Sequence, residues 1–281
     1  MTSHTPRTQD ELAPPLSRPG SGRVVLRRDL GPFADPAPRP LARRPLVTAA
    51  QPLLRPLSAV VCVETSDPVV ALTFDDGPDP QATPGLLDVL AEHRRHATFF
   101  VLSEAAERHP GIVRRIVAEG HELALHSRDH RRRLSQVPYH EAMEVVAASR
   151  AVVERIGGVP VHLFRPPYGA HTVRQRLGWA RQGLRVLLWS GSAEDWYHGT
   201  EDELVDRAVR AVHPGAVLLF HDTRADPETA ADPATVPHFD RSEVLDRFLV
   251  HTTAQGVRTS TAGRLLAAYP PVRAVMRDMM G

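Results

Sequence analysis

The sequence predicts an α/β fold built on a parallel sheet. Three observations carry the prediction. From residue 69 to residue 256, strand-like apolar runs alternate with helix-like segments. The polar residues with most chemical capacity stand just after those apolar runs. The first 60 residues differ in kind, with 11 of the 26 prolines and nine arginines against four acids, a composition that disfavours a packed core. The chain therefore reads as a Pro/Arg-rich N-terminal extension, 1–60, followed by one globular domain, 61–281.

Taken in order, VVLRRDL (24–30) and PLSAVVCV (56–63) are short strand candidates at the edge of the extension. VVALTF (69–74) is an apolar, β-branched strand. TPGLLDVLAEHR (83–94) has helical periodicity, and ATFFVL (97–102) is the next strand. PGIVRRIVAEG (110–120) is a helix with Pro at its start and Gly at its end. ELALH (122–126) is a strand, and YHEAMEVVAASRAVVERIGG a long amphipathic helix with a Gly stop. VHLFRP (161–166), RVLLWS (185–190) and AVLLFH (216–221) are further strands, with helices at 171–182 and 201–213 between them. SEVLDRFLVHTTAQG (242–256) is the last clear helix. Such an order buries both faces of a parallel sheet, whether open or closed as a barrel.

Composition excludes several classes. A net charge of +1 provides no bulk electrostatic case for nucleic acid. All 34 basic residues are Arg. Cys62 is the single cysteine, so neither an internal disulfide nor a Cys-based zinc site is available. No run of 18 apolar residues exists to span a membrane, and MTSHTPRTQDELAPPLSRPG lacks the apolar core of a secretory signal. The expected compartment is the cytoplasm.

The pair Asp75–Asp76 ends the first strong strand, in TFDDGP (73–78). His126 and His130 follow the ELAL strand, Arg165 and Asp195 follow later ones, and His221 closes the last. A lone strand-end Asp more often caps a helix than binds a ligand. Five strand ends that each carry a needed group change that balance, because the C-terminal rim is where catalytic groups collect in parallel barrels. HSRDH (126–130) places two imidazoles at i and i+4, as one face of a helical turn would. With one carboxylate they make a two-His, one-Asp divalent site, at which water is acidified and a carbonyl polarised. Adjacent side chains on a strand point to opposite faces, but a turn at the strand end relaxes this. One Asp then binds metal and the other takes a proton.

The motifs TFDDGP, HSRDH, FRPPYG (164–169), SAEDW (192–196) and LLFH (218–221), in this order, make the chain similar to the NodB-homology polysaccharide deacetylases, the fourth carbohydrate-esterase family. The resemblance covers roughly residues 66–265 and implies a distorted (β/α)7 barrel that hydrolyses an N-acetyl group with the help of a divalent metal ion, Zn²⁺ first and Co²⁺, Ni²⁺ or Mn²⁺ as alternatives. It implies Asp75 as catalytic base, with Asp76, His126 and His130 as metal ligands. Arg165 would orient Asp75, the backbone N–H of Tyr168 would face the oxyanion, and His221, paired with Asp195, would protonate the leaving amine. Trp196 and Leu219 would form the pocket for the acetyl methyl.

Three features depart from the family pattern. Ser192 stands where Asp is usual, Arg128 and Asp129 lie between the histidines, and DTRADPETAADPATVPHFDRSE (222–243) makes a long rim segment. Arg128 is a candidate for reading a phosphate or carboxylate near the metal, against the plainer reading of a solvated side chain. The expected partner is an N-acetylated carbohydrate or small molecule. An amidohydrolase acting on a non-sugar amide or imide and a non-catalytic sugar-binding barrel are the alternatives.

Overall fold

The structure, a computed structural model, describes residues 23–26, 57–223 and 237–275. Most of the extension and residues 224–236 of the expected rim segment lie outside the described residues.

In chain order the strands are β1 (Arg23–Leu26), β2 (Ala59–Val63), β3 (Val69–Asp75), β4 (Thr98–Val101), β5 (Glu122–Leu125), β6 (Leu163–Phe164), β7 (Arg185–Val186), β8 (Gly191–Ser192), β9 (Val217–His221), β10 (Arg258–Ser260) and β11 (Pro271–Val275). Among the described residues the helices of four or more residues are α1 (Thr83–Glu92), α2 (Ser103–Arg108), α3 (Pro110–Ala118), α4 (Tyr139–Gly157), α5 (Val173–Arg181), α6 (Glu201–Arg210), α7 (Arg241–Ala254) and α8 (Ala262–Ala268). None is long and apolar enough to cross a membrane.

Seven parallel strands run in the spatial order β7-β6-β5-β4-β3-β9-β8. This is the expected distorted seven-stranded barrel, curled but not closed by a ladder from β7 to β8 among the described residues. β10 adds to the first half of β3 on the edge that β4 uses further along, since Val69–Ala71 pair with β10 and Thr73–Asp75 with β4. A second sheet, β1-β11-β2, has β2 as its fully buried member. Isolated bridges tie β2 to the first sheet, from Val60 to Leu187 and from Cys62 to Ala216. β2 thus straddles the boundary expected at residue 60, and β1 pairs with β11 from within the extension.

The core explains why β3 is central. All seven of its residues are buried, and Phe74 stacks on Phe99 at 5.0 Å and meets Phe220 at 5.7 Å. Helix starts are written locally. Thr172 with Gln175 and Thr200 with Glu203 close capping boxes on α5 and α6, and the Asp240 carboxylate accepts from two backbone N–H groups of α7. VHLFRP and RVLLWS contribute only two ladder residues each. Their later backbone has other duties, since the Leu187 and Leu188 carbonyls accept from Arg165 and the Leu188 N–H donates to Val60. Elements α2, β8, β10, α8 and β11 are short and carry no clear periodicity in the sequence.

Candidate active site

The site grows from the C-terminal end of β3. Parallel register sets Asp75 opposite His221 of β9. The next residue, Asp76, is left-handed at φ 77°, which costs an L-residue roughly 1–2 kcal/mol and which Asp tolerates better than most. That turn breaks the strand alternation, so both carboxylates line one cavity of about 400 Å³. At Gly77 a Cβ would collide with the Asp222 carboxylate, so only glycine lets the chain pass there.

Arg165 follows β6 and is fully buried. Its Nη1 donates to Asp75 Oδ1 at 2.6 Å and to Thr73 Oγ1 at 2.9 Å, while Nε and Nη2 donate to the Leu187 and Leu188 carbonyls at 3.1 Å each. The guanidinium also lies 4.1 Å from the Phe100 ring centre. These contacts hold one oxygen of Asp75 and compensate both buried charges.

His126 donates from Nδ1 to the Arg165 carbonyl at 2.8 Å, because a carbonyl only accepts. Its Nε2 therefore presents a lone pair to Asp76 Oδ1 at 3.2 Å, and His130 Nε2 stands 3.6 Å from the same oxygen. Both Asp76 oxygens are buried without a hydrogen-bond partner. Burial opposes the charge of Asp76, yet in the metal-free protein protonated imidazoles of His126, His130 and His221 would hold it well below the usual carboxylate range, a role that a bound cation would take over. One ligand atom from each of Asp76, His126 and His130 lies within 4.8 Å of the others. Lone pairs converging on an unpaired buried carboxylate are costly unless a cation sits among them. The donor set fits a divalent ion such as Zn²⁺.

The histidine pair is not on a helical turn, contrary to the expectation from its spacing. Ser127 is left-handed at φ 83°, and the segment after β5 is a loop, so loop geometry brings the rings to 5.3 Å. Arg128 follows the plainer of its two readings, a solvated side chain. It does not face the cavity but pairs with Glu104 at 2.8 Å, with a side chain 58% exposed.

On the opposite wall Asp195 grips His221 twice. Oδ1 accepts from Nδ1 and Oδ2 from the backbone N–H, both at 2.7 Å. Burial opposes the imidazolium, but Asp195, with Asp76 and Asp75 behind it, pushes His221 up to about 9. Trp196 meets the His221 ring edge-on at 5.5 Å. Ser192 serves the turn before Asp195, accepting from the Glu194 N–H at 3.0 Å. Tyr168 is left-handed at φ 60°, and its hydroxyl donates to the His130 carbonyl at 3.0 Å.

Of the residues singled out from sequence, Asp75, Asp76, His126, His130, Tyr168, Trp196, Leu219 and His221 line the cavity. Arg165 and Asp195 stand behind it, holding Asp75 and His221. Sequence reasoning missed Trp189, Gly169 and Arg133 on the wall, and Thr73 beneath it. Trp189 carried a signal, an aromatic at the end of an apolar run. Arg133 carried none within the run RDHRRR.

Comparison with known proteins points to one family. The family model described as polysaccharide deacetylase matches residues 63–187. A chitooligosaccharide deacetylase of Bradyrhizobium sp. (strain ANU 289) is 42% identical over 154 residues, covering 54% of this chain and 70% of that protein. The solved structure of the peptidoglycan deacetylase PdaC from Bacillus subtilis is 31% identical at a TM-score of 0.60, covering 71% of this chain and 92% of that one. A family 4 acetyl xylan esterase from Clostridium thermocellum, solved with a cobalt ion, is 26% identical at a TM-score of 0.59, covering 70% of this chain and 90% of that one. A chain with this curled parallel sheet, this clustered rim and these relatives belongs to the NodB-homology polysaccharide deacetylases, the fourth carbohydrate-esterase family.

Proposed function

We propose that this protein hydrolyses the acetamide of an N-acetylated amino sugar to a free amine and acetate, using one divalent ion, Zn²⁺ in our reading. A single observation carries the proposal. One cavity holds an Asp76–His126–His130 ligand set, an Arg-held carboxylate and a carboxylate-paired imidazole. An ion held by Asp76, His126 and His130 would polarise the acetamide carbonyl and acidify water.

The chain's own residues do the rest. Asp75, held at one oxygen by Arg165, has its second oxygen to take the proton of the attacking water. As water adds to the carbonyl carbon, the backbone N–H of Tyr168 faces the developing oxyanion. His221, its Nδ1 engaged by Asp195, has Nε2 to give a proton to the departing nitrogen as the C–N bond breaks. Leu219 and Trp196, with Trp189, offer an apolar wall for the acetyl methyl.

The test is acetate release from N-acetylglucosamine oligomers by protein loaded with Zn²⁺ or Co²⁺. Turnover that a chelator abolishes and added metal restores is expected. No acetate from sugar substrates, with release from small non-sugar amides, would move the assignment to an amidohydrolase.

A further inference from the structure

The run Arg131-Arg132-Arg133 leaves the metal-ligand loop, and its members have different fates. Arg131 pairs with Glu104 and Arg132 with Glu141. Arg128, just upstream, pairs with Glu104 too. Arg133 pairs with no carboxylate among the described residues. Its guanidinium lies 4.5 Å from the Tyr168 ring centre, and both residues line the catalytic cavity.

Arg133 is exposed, and two features fix the ring on which its guanidinium lies. The Tyr168 hydroxyl donates to the His130 carbonyl, so the aromatic platform is tied to the metal-ligand loop. The ring itself packs 4.3 Å from His130. A guanidinium stacked on an aromatic face keeps its in-plane N–H donors available, and that planar fork matches a carboxylate or phosphate. The remaining charges of the site have counter-charges. Asp75 has Arg165 and His221 has Asp195, while Asp76 belongs to the candidate metal ligands. Arg133 is thus the one charge on the wall left for the substrate among the described residues.

We propose that Arg133 is a specificity residue that reads an anionic substituent of the substrate, so that the preferred substrate is an N-acetyl amino sugar carrying a carboxylate or phosphate close to its acetamide. This rests on the deacetylase reading of the same cavity.

The experiment compares kcat/KM of metal-loaded, full-length protein on three substrates of equal oligomer length. One is built from N-acetylglucosamine, one carries a 3-O-lactyl carboxylate and one a 6-phosphate. Arg133→Gln and Arg133→Lys are measured beside the wild type. Wild type should prefer an anionic substrate, and which one it prefers identifies the anion. Arg133→Gln should lower kcat/KM for that substrate by about tenfold or more, while changing the neutral one less than threefold. Arg133→Lys should recover part of the loss, and added salt should shrink the preference. Equal rates on neutral and anionic sugars in the wild type, or an equal loss on both in Arg133→Gln, would overturn the proposal while leaving deacetylation standing. Acetate from none of the three would remove the deacetylase reading itself.

Discussion

Asp75 and Asp76 are neighbours in sequence with opposite electrostatic settings. Asp75 has a buried guanidinium at 2.6 Å, whereas Asp76 has only imidazole nitrogens and two unpaired oxygens. Removing charge from each should therefore fail differently. Asp75→Asn is expected to keep the metal and lose about 10²–10⁴-fold in rate. Asp76→Asn is expected to lose the metal itself, as is His126→Ala. Elemental analysis of the purified variants checks this, and equal metal in the two Asp variants would invalidate the division of roles. His221 offers a test by pH. Its elevation to about 9 is set against burial by Asp195, and activity that needs the imidazolium falls as pH rises through that value. Neutralising Asp195 removes the attraction, so Asp195→Asn should move the basic limb of the rate profile to lower pH by roughly one to three units and lower the maximum. An unmoved basic limb would mean that another group titrates there.

At the scale of elements, β2 decides where the domain begins. Ala59–Val63 are all buried and reach both sheets. β1 contributes four pairs to β11, one buried valine, Val24, and an ion pair from Arg23 to Glu64 at 3.2 Å. We propose that the folded domain includes β2 and that β1 is an accessory to it. Deleting residues 1–50 removes β1 and about 2 kcal/mol of apolar burial at Val24. That variant should keep cooperative melting and activity at a melting temperature several degrees lower. Deleting through residue 63 opens the junction of the two sheets and should abolish cooperative melting. The boundary would be misplaced if the shorter deletion unfolded or the longer one melted like the full chain.

For the whole molecule, the buried ionisable groups set a pH window. Burial, helped by nearby positive charge, pushes His121 and His171 down to about 4. Burial, with Asp76 and Asp79 nearby, pushes Asp222 up to about 7. Between pH 4 and 6.5 the unfolded chain binds a proton at each histidine that the folded chain refuses, while folded Asp222 holds one that the unfolded chain releases. The net is about one extra proton on the unfolded chain, so stability rises with pH there by roughly 1.4 kcal/mol per unit. His213, lowered by burial, and Glu122, raised by burial, act in opposite directions. Above pH 6.5 the sign reverses, because His221 keeps its proton to about 9 when folded and loses it when unfolded. Metal-free protein should therefore be most stable near pH 6.5–7, falling on both sides. Urea midpoints from pH 4.5 to 9 check this, and a midpoint that climbs steadily through pH 9 would contradict it.

Much of this was legible in the chain. Apolar runs longer than four residues, helices with Pro, Gly or capping residues at their ends, and strand-end polar groups are local features, and they produced β3, β9, α1, α3, α4 and Asp75, Asp76, His126, His130, Arg165, Asp195 and His221, whereas Tyr168, Trp196 and Leu219 came only with the family resemblance. The sheet order was not legible, because nothing local says that β3 lies between β4 and β9 or that Asp75 faces His221 across a ladder. Spacing misled where backbone conformation ruled. The i, i+4 histidines suggested a helix, but left-handed Ser127 made a loop that still brings both rings to Asp76. Charge runs were the least readable. Four arginines within six residues look alike as sequence, and only tertiary contacts hand three of them to Glu104 and Glu141 and lay Arg133 on Tyr168 beside the cavity. The residue types and their order determined the family and the chemistry, because both depend on which groups are present. Which carboxylate, imidazole or guanidinium meets which is a matter of distance, and residues some forty to ninety positions apart acquire distances only when the sheet forms.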